Sequence, residues 1–165
     1  MKKINRFIVF SLLSLTLLFF AGCDPSIIWE REERQLIQAY LNSLGDTVAI
    51  LKPSGLYYIE ILEGTGRIPV VKDTVSFRYK ATLLDGRVFG SNLEEASPYG
   101  FIVGSGEIIE GIDEGVRYMK DGGKAKLLTP SSLAYGTTGI WGVLPGYTPL
   151  LWQIELVGVK AGSKK

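Results

Sequence analysis

Near its N-terminus the chain carries apolar side chains at helical spacing, from about residue 27 to residue 44. They recur three or four positions apart until Gly45, a residue type that often ends helices: Leu36, Ile37, Tyr40, Leu41 and Leu44. The charges from Glu30 to Arg34 suit a solvated face. The pattern predicts an N-terminal helix, which could pack on the rest of the chain, pair with a second copy, or act as a spacer.

From residue 56 onward the apolar period changes to two. Residues 74–82 alternate strictly, with Val75, Phe77, Tyr79 and Ala81 on one face and polar residues on the other. One buried face and one solvated face favour an antiparallel sheet, and Asp85-Gly86 is a typical hairpin turn. Further strands are predicted at residues 56–62, 87–89, 100–103, 124–129 and 150–159.

Only one other helix is predicted, over about residues 108–119. Its apolar side chains fall three or four positions apart: Ile109, Ile112, Val116 and Met119. A single short helix laid across one bent antiparallel sheet is an α+β domain, and this is the fold class that we predict.

Composition limits the chemistry. The chain has 165 residues, enough for one core, with no histidine and a single cysteine. These counts exclude Ser-His-Asp and Cys-His triads, imidazole-ligated metals and any intramolecular disulfide. Carboxylates such as Asp113, Glu114 and Asp121 lack the spacing of metal ligands, so no metal site is predicted.

The first 22 residues are typical of a signal peptide. Lys2, Lys3 and Arg6 precede an uncharged apolar run at residues 7–20, which is shorter than the roughly 20 residues that span a bilayer. Ala21-Gly22-Cys23 resembles the bacterial lipobox, in which the cysteine becomes the lipid-bearing first residue, although Phe20 stands where leucine is usual. Cys23 is therefore predicted to carry lipid such as palmitate. A plain signal peptide or anchor is the alternative.

Removal of the signal peptide would change the net charge. Eighteen basic residues against seventeen acidic ones give the whole chain +1, and loss of the three N-terminal cations leaves fifteen against seventeen, or −2. A weakly acidic body disfavours nucleic acid as a partner.

Four separated segments carry a family resemblance. They are YKATLLDGRVF (79–89), VGSGEIIEGIDEGV (103–116), AYG (134–136) and the closing LWQIEL (151–156). Their order and spacing resemble the FKBP-type peptidyl-prolyl isomerases over about residues 53–160. The implied organisation is a signal peptide at 1–22, a lipidated N-terminus with helix and linker at 23–52, an FKBP-like domain at 53–160 and a polar tail at 161–165.

The resemblance also implies the site, an apolar cup that receives a proline ring. It gives catalytic roles to Tyr79, Phe89 and Tyr135. Substrate-binding roles fall on Tyr99, Phe101, Glu107, Ile108, Ile109, Ile112, Leu144 and Trp152. The Ile109 N–H and the Tyr135 hydroxyl would donate to substrate carbonyls, and the Glu107 carbonyl would accept. No cofactor is implied. Phe77, outside the motif, is expected to be core alone.

Two positions depart from the family pattern. Gly90 stands where an aspartate usually follows the phenylalanine, and Ile112 stands where a tryptophan often forms the floor. Isoleucine keeps the pocket dry, whereas loss of the carboxylate removes a polar partner. Isomerase activity is therefore expected to be weaker than in a full-motif relative.

The glycine-rich loop at residues 136–147 carries Trp141, for which two interpretations remain open. The indole either folds back over a sheet edge or forms an apolar lip for unfolded or proline-rich chains.

The expected function is a lipid-anchored isomerase in the bacterial envelope, outside the cytoplasm, on the periplasmic face or the outer membrane. Expected partners are proline-containing polypeptides, the membrane through Cys23, and a second copy through the N-terminal helix. The alternatives are a chaperone or accessory binding module of the same fold, and a lipoprotein spacer with a vestigial pocket.

Overall fold

A computed structural model describes residues 25–162. Its helices are α1 (Pro25–Ser43), α2 (Glu110–Val116) and a 3-10 turn (Ser131–Leu133). Its strands are β1 (Ile50–Leu51), β2 (Tyr57–Leu62), β3 (Thr74–Leu83), β4 (Val88–Ser91), β5 (Tyr99–Ile102), β6 (Lys124–Thr129) and β7 (Leu150–Lys160). All strand pairs are antiparallel, in the order β1-β2-β6-β7-β3-β4, and β5 also pairs with β3. The predicted α+β fold, a bent antiparallel sheet with one short helix and α1 ahead of it, is confirmed.

Strand β3 organises the sheet because it has partners along both edges. One edge pairs with β7 over its whole length. The other edge pairs with β5 over Thr74–Phe77 and with β4 over Lys80–Thr82. The alternation seen in the sequence therefore buries Val75, Phe77 and Ala81 against the core.

Helix α2 lies over the inner face of the sheet, where Ile112 and Val116 are fully buried. It is shorter than the predicted 108–119. Ile109, directly before it, has an extended backbone (φ −56°, ψ 144°), and after Val116 the chain continues in turns of the i to i+3 type. The apolar spacing continues beyond the helix because both flanking turns also face the core.

Helix α1 packs on the opposite face of the sheet. Ile37 is buried against Leu128 of β6 and Leu151 of β7, with further contacts from Tyr40, Leu41, Tyr57 and Leu84 around them. Leu127 and Leu128 point to opposite faces, so β6 contributes to the main core and to this second cluster. Helix α1 therefore packs on its own domain, which is one of the three alternatives that the sequence left open.

The signal peptide and Cys23 lie outside the described residues. Within residues 25–162, no helix combines the length and hydropathy needed to cross a bilayer.

Candidate active site

An apolar cavity opens to solvent between α2 and the inner face of the sheet. Its volume is about 300 Å³, at the lower end of small-ligand sites, which span roughly 300–1,000 Å³. Strands β3, β5 and β7, the turn before α2 and the loop after the 3-10 turn all contribute to its wall. The lining residues are Phe77, Tyr79, Tyr99, Glu107, Ile108, Ile109, Ile112, Tyr135 and Trp152.

Aromatic rings stack edge to face along the inner side of β3. Phe77 is fully buried, and its ring centroid lies 5.6 Å from that of Tyr99 and 5.8 Å from that of Phe101. Phe77 was expected to be core alone, yet it also borders the cavity. The signal that could have identified it is its spacing, two residues before Tyr79 on the same strand face.

Trp152 of β7 forms the wall beside Tyr79, with ring centroids 5.5 Å apart. Within residues 25–162, its indole Nε1 is the one buried side-chain nitrogen or oxygen without a hydrogen-bond partner. Buried donors are nearly always paired in proteins. The wall therefore contains an unused donor, in a residue that the sequence assigned only to apolar binding.

Asn92 holds the backbone of β3 at the gap between β4 and β5. Its side-chain amide donates to the Phe77 carbonyl at 3.2 Å, and its side-chain oxygen accepts from the Tyr79 N–H at 2.7 Å. The Asn92 N–H also donates to the Tyr79 carbonyl at 3.1 Å. Asn92 is buried and fixes the strand segment that carries two lining rings. Sequence analysis missed it, since a lone asparagine after a predicted strand gives no such signal.

Two of the three tyrosines that line the cavity, Tyr79 and Tyr135, keep their protons over a wide pH range. Burial raises the pKa of Tyr79 above its usual value, with smaller contributions from the charges of Glu95 and Tyr99. Burial also raises the pKa of Tyr135, with a smaller contribution from Tyr79. Their hydroxyls are therefore donors at neutral pH, and neither is set up as a general base.

The turn into α2 presents backbone groups to the cavity. Ile109 is the residue that precedes the helix, and its carbonyl accepts from the N–H groups of Ile112 and Asp113. The N–H groups at the start of a helix have no partner inside it. This geometry is compatible with the donor role that the resemblance gives to Ile109 and with the acceptor role of the neighbouring Glu107 carbonyl.

The structure brings together most of the expected site residues, but three lie elsewhere. Phe101 and Leu144 are buried in the core. Phe89 packs edge to face on Tyr135, at 5.6 Å between centroids, and borders a neighbouring groove of about 400 Å³ instead of the cavity. It therefore supports a lining residue from outside, and the predicted roles of all three stay predictions.

Gly90 lies directly beside Tyr79. A Cβ atom at residue 90 would stand 3.7 Å from Tyr79 Cε2 and 3.8 Å from its hydroxyl oxygen. These are ordinary van der Waals distances, so a side chain fits there without displacing the ring.

Trp141 does not fold back onto the sheet, because its side chain is 98% exposed. Val143 in the same loop is also exposed, whereas Leu144 is buried. Of the two interpretations of this loop, covering of a sheet edge by the indole is therefore wrong.

The family model for the FKBP-type peptidyl-prolyl cis-trans isomerase matches residues 66–157, more than half of the chain. The chain belongs to this family. It carries an FKBP-type isomerase domain, and the cavity lies within the matched region, since its lining residues run from Phe77 to Trp152.

Two curated relatives and one solved structure show the extent of the similarity. The chain is 38% identical to the macrophage infectivity potentiator of Trypanosoma cruzi over 117 residues, 70% of this chain and 59% of that protein. It is 39% identical to FK506-binding protein 1 of Dictyostelium discoideum over 100 residues, 61% of this chain and 94% of that protein. The crystal structure of FkpA from Escherichia coli matches with a TM-score of 0.71 at 27% identity, covering 98% of this chain and 76% of that one. The chain thus spans under two thirds of the first relative and nearly all of the second.

Proposed function

We propose that this isomerase is lipid-anchored in the bacterial envelope and accelerates rotation about X-Pro peptide bonds in envelope polypeptides. The cavity would act without covalent catalysis. The observation that carries the proposal is a solvent-open apolar hollow edged by tyrosine hydroxyls and helix-start amides, in a chain that has no histidine.

Rotation about a peptide bond breaks no σ bond. Its barrier of about 18–20 kcal/mol is lost amide resonance, and X-Pro bonds cross it in tens to hundreds of seconds unaided. The twisted amide is less charge-separated than the planar one, so an apolar site with little water favours it over the planar form. No acid, base or nucleophile is needed.

The lining residues suit the parts of a proline-containing chain. Tyr99, Ile108 and Ile109 offer accessible apolar surface for the ring. The Tyr135 hydroxyl and the Ile109 N–H would donate to flanking carbonyls and hold the chain while the bond turns. Interactions made only at the twisted geometry lower the barrier, at about 1.4 kcal/mol for each tenfold in rate.

The experiment is an isomerisation assay with an X-Pro peptide and the full-length protein in mild detergent. We expect turnover that falls in Tyr135→Phe, which removes the hydroxyl, and in Phe89→Ala, which removes the support of Tyr135. Tyr118→Phe is the matched control because Tyr118 lies outside the cavity and bonds Glu114 instead. Absence of turnover in the wild type, or equal losses in Tyr135→Phe and Tyr118→Phe, would contradict the proposal.

Lipid attachment at Cys23 is a separate part of the proposal, supported by the apolar run and the lipobox-like residues before it. Cys23→Ser should abolish incorporation of labelled palmitate and release the protein from the membrane fraction. Retention of both by the variant would rule out Cys23 as the anchor.

The second candidate is a chaperone or accessory binding module with little turnover. The exposed Trp141 favours it, together with the absence of a carboxylate at Gly90. Such a module would suppress aggregation of an unfolded test protein, and Trp141→Ala would weaken that effect while leaving peptide isomerisation unchanged.

Pairing of two copies through α1 also stays a proposal. Ile37 and Leu41 of α1 already pack on the sheet, but Trp29 and Leu36 remain exposed for a second copy. Light scattering of the full-length protein in detergent at several concentrations would distinguish a monomer from a dimer.

A further inference from the structure

A buried carboxylate joins α1 to the part of the chain that carries Tyr135. Glu33 is only 9% exposed. One of its oxygens accepts from the Ser131 N–H at 2.5 Å, and the other accepts from the Ser131 hydroxyl at 2.8 Å. The partners are 98 residues apart in the chain. Of the charged residues of α1 that the sequence assigned to a solvated face, Glu33 is therefore buried.

Ser131 is the first residue of the 3-10 turn, and its carbonyl accepts the hydrogen bonds that hold the backbone on both sides of Tyr135. This oxygen accepts from the Ala134 N–H at 2.9 Å and from the Gly136 N–H at 2.8 Å, the two residues that flank Tyr135. The Gly136 carbonyl in turn accepts from the Tyr147 N–H at 3.0 Å, which closes the long loop. The position of Ser131 therefore sets where the Tyr135 backbone lies.

We propose that Glu33 is a positioning residue for the isomerase: through Ser131 it fixes the turn that holds Tyr135 at the wall of the cavity. The inference rests on the proposed function, in which the Tyr135 side chain touches substrate. Glu33 itself borders a separate cleft between α1 and the domain, so it does not contact the proline site.

The hydrogen bonds between Glu33 and Ser131 are better suited to fixing the geometry of a turn than to holding α1 on the sheet. The other contacts of α1 with the sheet are made largely by apolar side chains, which have no preferred direction. A carboxylate that accepts two bonds from one residue, through separate oxygens, holds that residue in position and orientation. If α1 only covered the sheet, an apolar side chain at position 33 would serve as well.

The first experiment measures kcat/KM for an X-Pro peptide with full-length variants in mild detergent. Glu33→Ala should lower kcat/KM by roughly threefold to tenfold, within the range of couplings through connected residues. Glu33→Gln should lose less, because its amide oxygen still accepts one bond. Glu32→Ala is the matched control: the same helix, the same charge removed, and an exposed side chain. Equal activity in Glu33→Ala and Glu32→Ala would overturn the proposal.

A double-mutant cycle separates positioning from general loss of stability. In a Tyr135→Ala background the side chain that Glu33 positions is gone, so Glu33→Ala should cost less than about twofold. An equal factor in both backgrounds would mean that Glu33 acts independently of Tyr135, and the inference would be wrong.

Amide hydrogen exchange tests the same link without any activity. The Ala134 and Gly136 amides should exchange faster in Glu33→Ala than in Glu32→Ala, whereas the Leu127 amide, in the central part of the sheet, should not change. If the wild type had no isomerase activity, the proposed function would be wrong, but hydrogen exchange would still show whether Glu33 fixes the turn around Tyr135. Unchanged exchange at Gly136 would overturn the link even in an active enzyme.

Discussion

At the scale of single residues, Gly90 is where this chain departs from the family pattern. The space for a side chain is present beside Tyr79, but the side chain is missing. Gly90 still pairs with Ala81 across β3 and β4, next to an irregularity at which the following residue of β3, Thr82, pairs with Val88. Gly90 therefore deprives the site of a polar group, while the space that a side chain would occupy is still present.

We expect Gly90→Asp to raise kcat/KM for an X-Pro peptide by about tenfold to a hundredfold, because a hydrogen bond to a charged group contributes roughly 1.5–3 kcal/mol and about 1.4 kcal/mol is tenfold in rate. A carboxylate at this position would orient the Tyr79 hydroxyl and order the polar side of the cavity. Gly90→Asn is the control of nearly equal size without charge and should gain less. A wild type as fast as a full-motif relative, with no gain in Gly90→Asp, would contradict the argument.

Tyr79 and Tyr135 lead to a second prediction at this scale, which is that kcat/KM depends little on pH. Burial holds the pKa values of Tyr79 and Tyr135 above the ordinary 10.0 of a tyrosine. Both hydroxyls thus stay protonated, and kcat/KM should be constant between about pH 6 and 9 and fall only as the hydroxyls ionise at higher pH. A bell-shaped profile centred near neutrality would instead reveal acid–base catalysis.

At the scale of elements, the loop from Gly136 to Tyr147 is held by its own backbone. Ile140 and Leu144 bond each other in both directions, and the Gly139 N–H donates to the Tyr135 carbonyl at 3.0 Å. Gly139 has a φ of +67°, and a Cβ there would overlap the Leu144 carbonyl oxygen. The loop folds tightly because no side chain separates these stretches of backbone.

Gly139→Ala should therefore disrupt the loop and lower both stability and isomerase activity. Gly142→Ala is the matched control, since Gly142 shares the positive φ (+72°) but would meet nothing within 4 Å. The control should lose only about 1–2 kcal/mol of unfolding free energy for its left-handed backbone, and Gly139→Ala should lose more. Equal losses in denaturant unfolding would show that the close approach is unimportant.

Elements differed in how well the sequence predicted them. Strand β6 occupies the predicted 124–129, and β3 runs one residue past its predicted end. Strict alternation of apolar and polar residues shows that one face of a strand is buried, and this pattern can be read from the strand's own residues. The length of α2 was overestimated because its apolar spacing continues into turns that face the same core. Spacing reports which side is buried but not whether the backbone is helical.

At the scale of the whole molecule, the sheet is covered on both faces. The main core lies between the inner face and α2, and a smaller cluster lies between the outer face and α1. The bond from Ser131 to Glu33 closes one end of this outer layer. Helix α1 is thus part of the folded unit together with the domain that follows it.

We expect Ile37→Ala to destabilise the protein by about 2–4 kcal/mol, because it leaves a cavity between α1 and the sheet. Leu36→Ala, at the neighbouring and exposed position, should cost less than about 1 kcal/mol. Both values come from denaturant unfolding, monitored together by far-UV circular dichroism as a report on α1, the longest helix in the described part of the chain. An early separate transition of α1, or equal costs for the two variants, would mean that α1 is not part of the cooperative unit.

The sequence by itself determined the fold class, most of the cavity lining and every strand except the short β1 (Ile50–Leu51). These follow from local alternation and from motif segments whose residues meet because the sheet topology is shared across the family. Tyr79, Ile109 and Tyr135 could therefore be assigned to one site from their motifs alone.

Only the tertiary structure decided where α1 packs, that Phe77 borders the cavity, that Trp141 is exposed, and that Asn92 and Glu33 tie distant segments to the site. Each depends on contacts between residues far apart in the chain or on the space around a side chain. Periodicity records the burial of one element at a time, so it carries no information on which partner provides that burial.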